Sequence, residues 1–212
     1  MSEQFSILID SRTRFETSEP GGVWLSMPTT KEQLHEAMQR VGITADNPQD
    51  FLINGFMNTE QQPFDVPLPV IQSAGLDELN YLGNLLSMQR DEDRNKFTAA
   101  VTLGERAGNI KDLINLAQNL DCYWLYPTVQ NEEDYGYYLI DELDELELPE
   151  EAKKYFMYED YGRDAAINDG GRFTEQGYML PFCYRVGKLL SDFMGGFVIH
   201  FPRLKGLYQM KG

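Results

Sequence analysis

Residues 123–151, YWLYPTVQNEEDYGYYLIDELDELELPEE, decide how this chain of 212 residues is read. They lie in a longer window, Asp112 to Ala152, that has no lysine or arginine and carries twelve carboxylates. The whole chain has a formal net charge of -16, so this window supplies most of the excess. A disordered acidic tail is poor in apolar residues. Here Tyr123, Trp124, Leu125, Tyr126, Tyr135, Tyr137, Tyr138, Leu139 and Ile140 interleave with the acids, so the charge is expected on a folded scaffold. With residues placed about 100° apart, a helix over 132–146 turns Tyr135, Leu139, Leu143 and Leu146 to one face and Glu133, Asp134, Asp141, Asp144 and Glu145 to the other. Pro149 fits the first position of the next helix. Glu150 and Glu151 follow in its first turn, where the helix dipole favours acid, and that helix is expected to reach about Tyr158. A loop with Gly162, Gly170 and Gly171 and a hairpin over Arg172 to Met179 complete this part.

Upstream, residues 5–10 (FSILID) and 23–27 (VWLSM) read as strands on either side of the turn signal Pro20-Gly21-Gly22. Thr30 is an N-cap, with Gln33 three residues on completing a capping box. The helix it starts ends near Gly42, and residues 51–56 (FLINGF) form a third strand. Pro63, Pro67 and Pro69 mark a linker. From Leu76 the apolar period becomes helical: Leu76, Leu79, Leu82 and Leu86 line one helix, and Phe97, Val101 and Leu103 a second begun in Asp91-Glu92-Asp93. A third is capped by Asn109, with Ile110, Leu113, Ile114 and Ala117 inward. The expected class is α+β, elongated, in four parts. These are an N-terminal unit at 1–66 (a small antiparallel sheet with one helix), a central bundle of short helices at 71–127, an acidic α+β part at 128–179, and an extension at 180–212. The extension reverses the charge balance: Arg185, Lys188, Arg203, Lys205 and Lys211 stand against Asp192 alone. It is expected to add a short helix and a strand at 196–201; it could pack on the body, form a dimer contact or neutralise part of the acid.

A content of 42% hydrophobic and 12% aromatic residues is enough to bury a core. The sequence pI of about 4.4 argues against direct nucleic-acid binding, which needs basic patches, and points to basic protein surfaces as partners. Cys122 and Cys183 lack metal-like spacing and read as free thiols in a reducing compartment. No signal peptide and no membrane-length apolar run is visible, so the expectation is a cytoplasmic protein.

Catalytic signatures are missing. The nucleophile elbow, phosphate-binding loop and dinucleotide fingerprint are absent. His35 and His200 have no ligand-spaced partner, and both read as ordinary surface or rim histidines. Asp164 to Glu175 imitates a calcium loop at positions 1, 5 and 12 but carries Ala166 at position 3 and Asp169 where glycine is needed. No cofactor or metal is expected. Acids on the outer face of one amphipathic helix are an ordinary solvated surface; a long stretch without compensating lysine is not, because surfaces normally intersperse both signs. A helix from Glu133 to Glu145 would span roughly 18 Å with five outward carboxylates. One DNA strand carries about five phosphates over that length.

The block containing Asp141, Leu148-Pro149-Glu150, Tyr155-Phe156, Tyr158-Glu159-Asp160-Tyr161-Gly162-Arg163-Asp164 and Gly171-Arg172-Phe173 resembles the ArdA family of antirestriction proteins. Gly22-Val23-Trp24-Leu25, Pro28, Phe51-Leu52-Ile53 and Asp77-Glu78-Leu79-Asn80 are similar to that family as well, so the likeness spans about residues 5–179. The resemblance implies a DNA mimic of mobile genetic elements, a non-enzymatic homodimer that occupies the DNA groove of Type I restriction-modification enzymes. The implied partner-binding acids are Glu132, Glu133, Asp134, Asp141, Glu142, Asp144, Glu145, Glu147, Glu150 and Glu151, with Asp160 and Asp164 beside them. In the Tyr161-Gly162-Arg163 triplet, glycine is read as turning the chain after a helix and arginine as pairing with nearby acids. Two rivals remain open: an acidic inhibitor of another basic DNA-binding protein or nuclease, and a carboxylate-dependent hydrolase.

Overall fold

The computed structural model describes residues 3–17, 21–48, 50–59, 64, 66–104 and 107–181. The fold is α+β, as the sequence pattern requires. It divides into two compact units, residues 1–120 and residues from Asp121 on.

In the first unit, β1 (Phe5–Ser11) lies between β2 (Val23–Met27) and β3 (Phe51–Asn58), antiparallel to both. Phe5, Ile7 and Ile9 share one face of β1 and are fully buried, and Ser6 and Asp10 on the other face are buried too, as befits the central strand of the sheet. A short helix α1 (Arg12–Glu16) follows β1, and α2 (Lys31–Arg40) follows β2. Thr30 caps α2: its hydroxyl accepts the Gln33 N–H at 3.3 Å, and the Gln33 side chain accepts the Thr30 N–H at 3.0 Å. Replacing Thr30 with alanine should cost about 1 kcal/mol, read as a lower midpoint in urea.

The proline-rich segment is more than a linker. Phe64 inserts its ring between Phe5, Phe56 and Phe97, with centroids 5.4 to 5.9 Å apart, and Pro69 sits in the first turn of a short helix, α3 (Leu68–Gln72). Then come α4 (Leu76–Met88), α5 (Asp91–Thr102) and α6 (Ile110–Gln118), begun where the apolar period and acidic first turns place them. Asn109 caps α6 by accepting the Asp112 N–H at 3.0 Å.

The second unit has its own antiparallel sheet, ordered β4 (Tyr123–Tyr126), β6 (Gly177–Pro181), β5 (Arg172–Thr174). The expected hairpin is β5–β6. Strand β4 was not foreseen, because its aromatic residues do not alternate with polar ones. Helix α7 (Glu132–Tyr137) runs into a π-helical turn (Tyr138–Glu142), then α8 (Glu150–Lys153) and α9 (Tyr158–Asp169). Val129, Tyr135, Leu139, Ala166, Tyr178 and Leu180 form the core of this unit.

The structure differs from the sequence expectation at four points. The helix over 132–146 ends at Glu142. Leu143 N–H bonds to the Tyr138 carbonyl, the wider spacing of a π turn, and Asp144 closes the helix in the left-handed region at φ 49°. The extra residue shifts the apolar register, so Ile140 is buried beside Leu139 while Leu143 and Leu146 stay 43% and 41% exposed. The helix begun at Pro149 stops at Lys153, and the expected loop after Tyr158 is helix α9. Cys122 is disulfide-bonded rather than a free thiol. Cys183 and the strand expected at 196–201 lie outside the described residues. Among the described residues no helix is long and apolar enough to cross a membrane.

Candidate protein-binding surface

The acidic segments are held in place by the crossing of α7 and α9. Gly162 is not a turn residue: it lies buried in the middle of α9, and a Cβ added there would overlap the carbonyl of Glu132 and come within 2.6 Å of the Gly136 nitrogen. A Cβ on Gly136 would likewise overlap the Tyr158 carbonyl. The two backbones therefore touch directly, each glycine receiving the carbonyl of the residue four positions before the other. Such close approach favours weak Cα–H···O contacts and needs residues with no side chain. Around the crossing, Tyr135 stacks near Tyr178 at 4.2 Å between centroids, and its hydroxyl donates to Asp169 Oδ2 at 2.5 Å.

The twelve acids fall into distinct states. Asp134 is largely structural: Asn131 caps α7 by accepting the Asp134 N–H at 2.9 Å, and the Asp134 carboxylate accepts the Gln130 N–H at 2.9 Å. Glu145 accepts the Tyr161 hydroxyl at 3.1 Å and is half-buried. The Lys153 ammonium lies 3.0 Å from Asp141 Oδ1 and 3.2 Å from Glu150 Oε1. Hydrogen bonds to these two carboxylates push the Lys153 pKa up, against the pull of desolvation. Arg163 pairs with Asp160 and, at 3.9 Å, with Glu159, as the sequence reading had it. Both are exposed contacts along one helix face and contribute little to stability. Glu132 is half-buried at the start of α7. Glu133, Glu142, Asp144, Glu147, Glu151 and Asp164 are exposed and enter no ion pair among the described residues. Because the helix ends at Glu142, the five-carboxylate ruler from Glu133 to Glu145 does not exist as one straight edge. The unpaired acids are distributed over α7, the π turn, the loop that follows, α8 and α9.

The fold also brings together residues that no sequence spacing signals. Glu133, Tyr137, Asp141, Glu150, Lys153, Lys154, Phe156, Met157, Tyr158, Glu159 and Asp160 line an open groove of about 740 Å³. Its wall is aromatic: Tyr137 and Tyr158 stack with centroids 3.9 Å apart and planes 20° from parallel, and Phe156 meets Tyr158 edge-on at 5.1 Å. Burial, with Asp141 next, raises the Tyr158 phenol pKa, so the ring stays neutral. Glu159 was visible inside the Tyr158–Asp164 block, but reading that block as a loop hid its place on α9.

No cluster of His, Cys, Asp or Glu among the described residues is arranged to hold a metal ion. The family model described as Antirestriction protein (ArdA) matches residues 8–180. The chain belongs to the ArdA family of antirestriction proteins. The ArdA match begins within β1 and ends within β6, so it takes in both units and all twelve acids. A comparison with curated proteins found no match. Membership in ArdA makes this an antirestriction protein, whose action is directed against restriction-modification enzymes; the family is one of inhibitors rather than a known family of enzymes.

Proposed function

We propose that this protein blocks a Type I restriction-modification enzyme by occupying its DNA-binding groove as a folded polyanion. The observation that carries the reading is the set of six exposed carboxylates of the second unit, Glu133, Glu142, Asp144, Glu147, Glu151 and Asp164, that enter no ion pair among the described residues. A groove built for phosphates is lined with lysine and arginine, and such a surface attracts fixed carboxylates by the same long-range field. The acids are fastened by helix caps, the π turn and the glycine crossing, so little conformational entropy is lost when they bind. The protein acts as a homodimer in this reading, without cofactor and without binding nucleic acid itself.

The test is competition between this protein and a labelled duplex for a purified Type I methyltransferase core. The duplex should be displaced, and direct binding of the protein to the core should weaken steeply between 50 and 200 mM salt. For about six phosphate-like contacts the DNA benchmark is a loss on the order of a thousandfold over that range. No displacement from a core that binds DNA normally would defeat the proposal. Equal capture of an unrelated nuclease or nucleoid protein would favour a general acidic inhibitor instead.

A further inference from the structure

The 740 Å³ groove of the second unit is a feature that charge presentation alone does not require. Phosphates are displayed on an outward-facing backbone, so a surface that only imitated them would have no need of an aromatic-walled depression. Here two kinds of group converge. Tyr137 and Met157 remain 44% and 68% exposed inside a lined groove, beside the Tyr137–Tyr158 stack. Around them stand five carboxylates, Glu133, Asp141, Glu150, Glu159 and Asp160, against the ammonium groups of Lys153 and Lys154. The groove already accommodates one cation of its own: Lys153, its side chain only 25% exposed, places its ammonium between Asp141 and Glu150. Aromatic faces combined with carboxylates are what a guanidinium selects. Its plane stacks on a ring, its N–H fork spans a carboxylate, and it is more weakly hydrated than an ammonium.

We propose that this groove seats an arginine side chain of the inhibited enzyme, with the exposed face of Tyr137 and the Glu133 carboxylate as its principal contacts. The inference rests on the polyanion reading above and adds a localised anchor to it. Buried aromatic–arginine contacts dominate many interfaces, while rim charges set the rate of encounter. Lys153 holds Asp141 and Glu150 in position and Arg163 pairs with Glu159 and Asp160, so among the described residues Glu133 is the exposed carboxylate of the groove without an ion pair.

The experiment compares full-length variants in the duplex-competition assay. Tyr137→Phe keeps the aromatic face, whereas Tyr137→Leu keeps apolar bulk without it; neither alters the net charge. Glu133→Gln removes one charge inside the groove, and Glu147→Gln removes one outside it. The expected result is that Tyr137→Phe inhibits like the parent, Tyr137→Leu loses about tenfold or more, and Glu133→Gln loses several times more than Glu147→Gln. A Tyr137→Leu variant equal to Tyr137→Phe, with Glu133→Gln equal to Glu147→Gln, would overturn the anchor while leaving the polyanion reading intact. Failure of the parent protein to compete is the separate result that removes that reading. Should Tyr137→Leu melt well below the parent, the comparison of Glu133→Gln with Glu147→Gln decides alone, and equal inhibition by those two variants overturns the anchor.

Discussion

Gly162→Ala unfolds the second unit. In most helix interiors this substitution stabilises, by about 1 kcal/mol, because alanine loses less backbone entropy than glycine. Here the added methyl would occupy the space of the Glu132 carbonyl and approach the Gly136 nitrogen to 2.6 Å, and both are backbone atoms that no rotamer change can move. Helices α7 and α9 would have to separate, opening the layer that contains Tyr135, Leu139 and Ala166. Overpacking a well-filled core costs about 1–3 kcal/mol when side chains can adjust. With backbone against backbone the cost should reach or exceed the top of that range. Near-UV circular dichroism of the buried tyrosines should collapse, and a denaturant titration should lose the transition belonging to this unit. Gly136→Ala should behave alike. Gly170→Ala is the control: its Cβ meets nothing within 4 Å, and at φ 68° it should cost only about 1–2 kcal/mol of left-handed strain. A Gly162→Ala protein melting within a few degrees of the parent would show that the helices do not touch as described.

Neutralising Glu142, Glu147, Glu151 and Asp164 together, as three glutamines and one asparagine, should weaken inhibition about a hundredfold. These four acids are exposed, enter no ion pair among the described residues and lie outside the groove, so they report on distributed charge alone. Each single change should cost about two- to fivefold, or about 0.4–1 kcal/mol, the upper part of the range for a surface ion pair. Together they should compound, since no one contact dominates among them. The combined variant should melt at or above the parent temperature, because removing like charges relieves self-repulsion. Competition assays run beside thermal melts separate the two effects. If one of the four single changes abolished inhibition, the distributed reading would have to give way to a specific contact at that residue.

The N-terminal sheet and helices α2, α4, α5 and α6 of the first unit were legible because local signals agreed with the tertiary outcome. The strand at residues 5–10, the Thr30–Gln33 capping box and the Asn109 cap each rest on signals within a few residues, and each stands where it was read. Legibility fell where distant contacts overrode the local period. Phe64 lies in a stretch whose prolines suggest only a linker, and its ring is buried because Phe5, Phe56 and Phe97 surround it. Gly162 looks like a chain-turning residue in sequence. Its reason for being glycine lies 26 to 30 positions upstream, in the backbone of α7 at Gly136 and Glu132.

For the binding surface the division is similar. The sequence alone determined that the chain is strongly acidic, that its acids alternate with core-forming residues, and that it resembles the ArdA family; these depend on composition and local pattern. Only the tertiary structure decided how each acid is used. The π turn shifted the register and ended the helix at Glu142. Lys153 drew Asp141 and Glu150 into ion pairs, Asn131 and Gln130 held Asp134 as part of a cap, and Tyr161 took Glu145. The groove beside Tyr137 exists because α8 and α9 meet the end of α7 there. Net charge is additive along a chain, but a charge's partner and exposure depend on which segments are packed together, and one-dimensional spacing does not encode that.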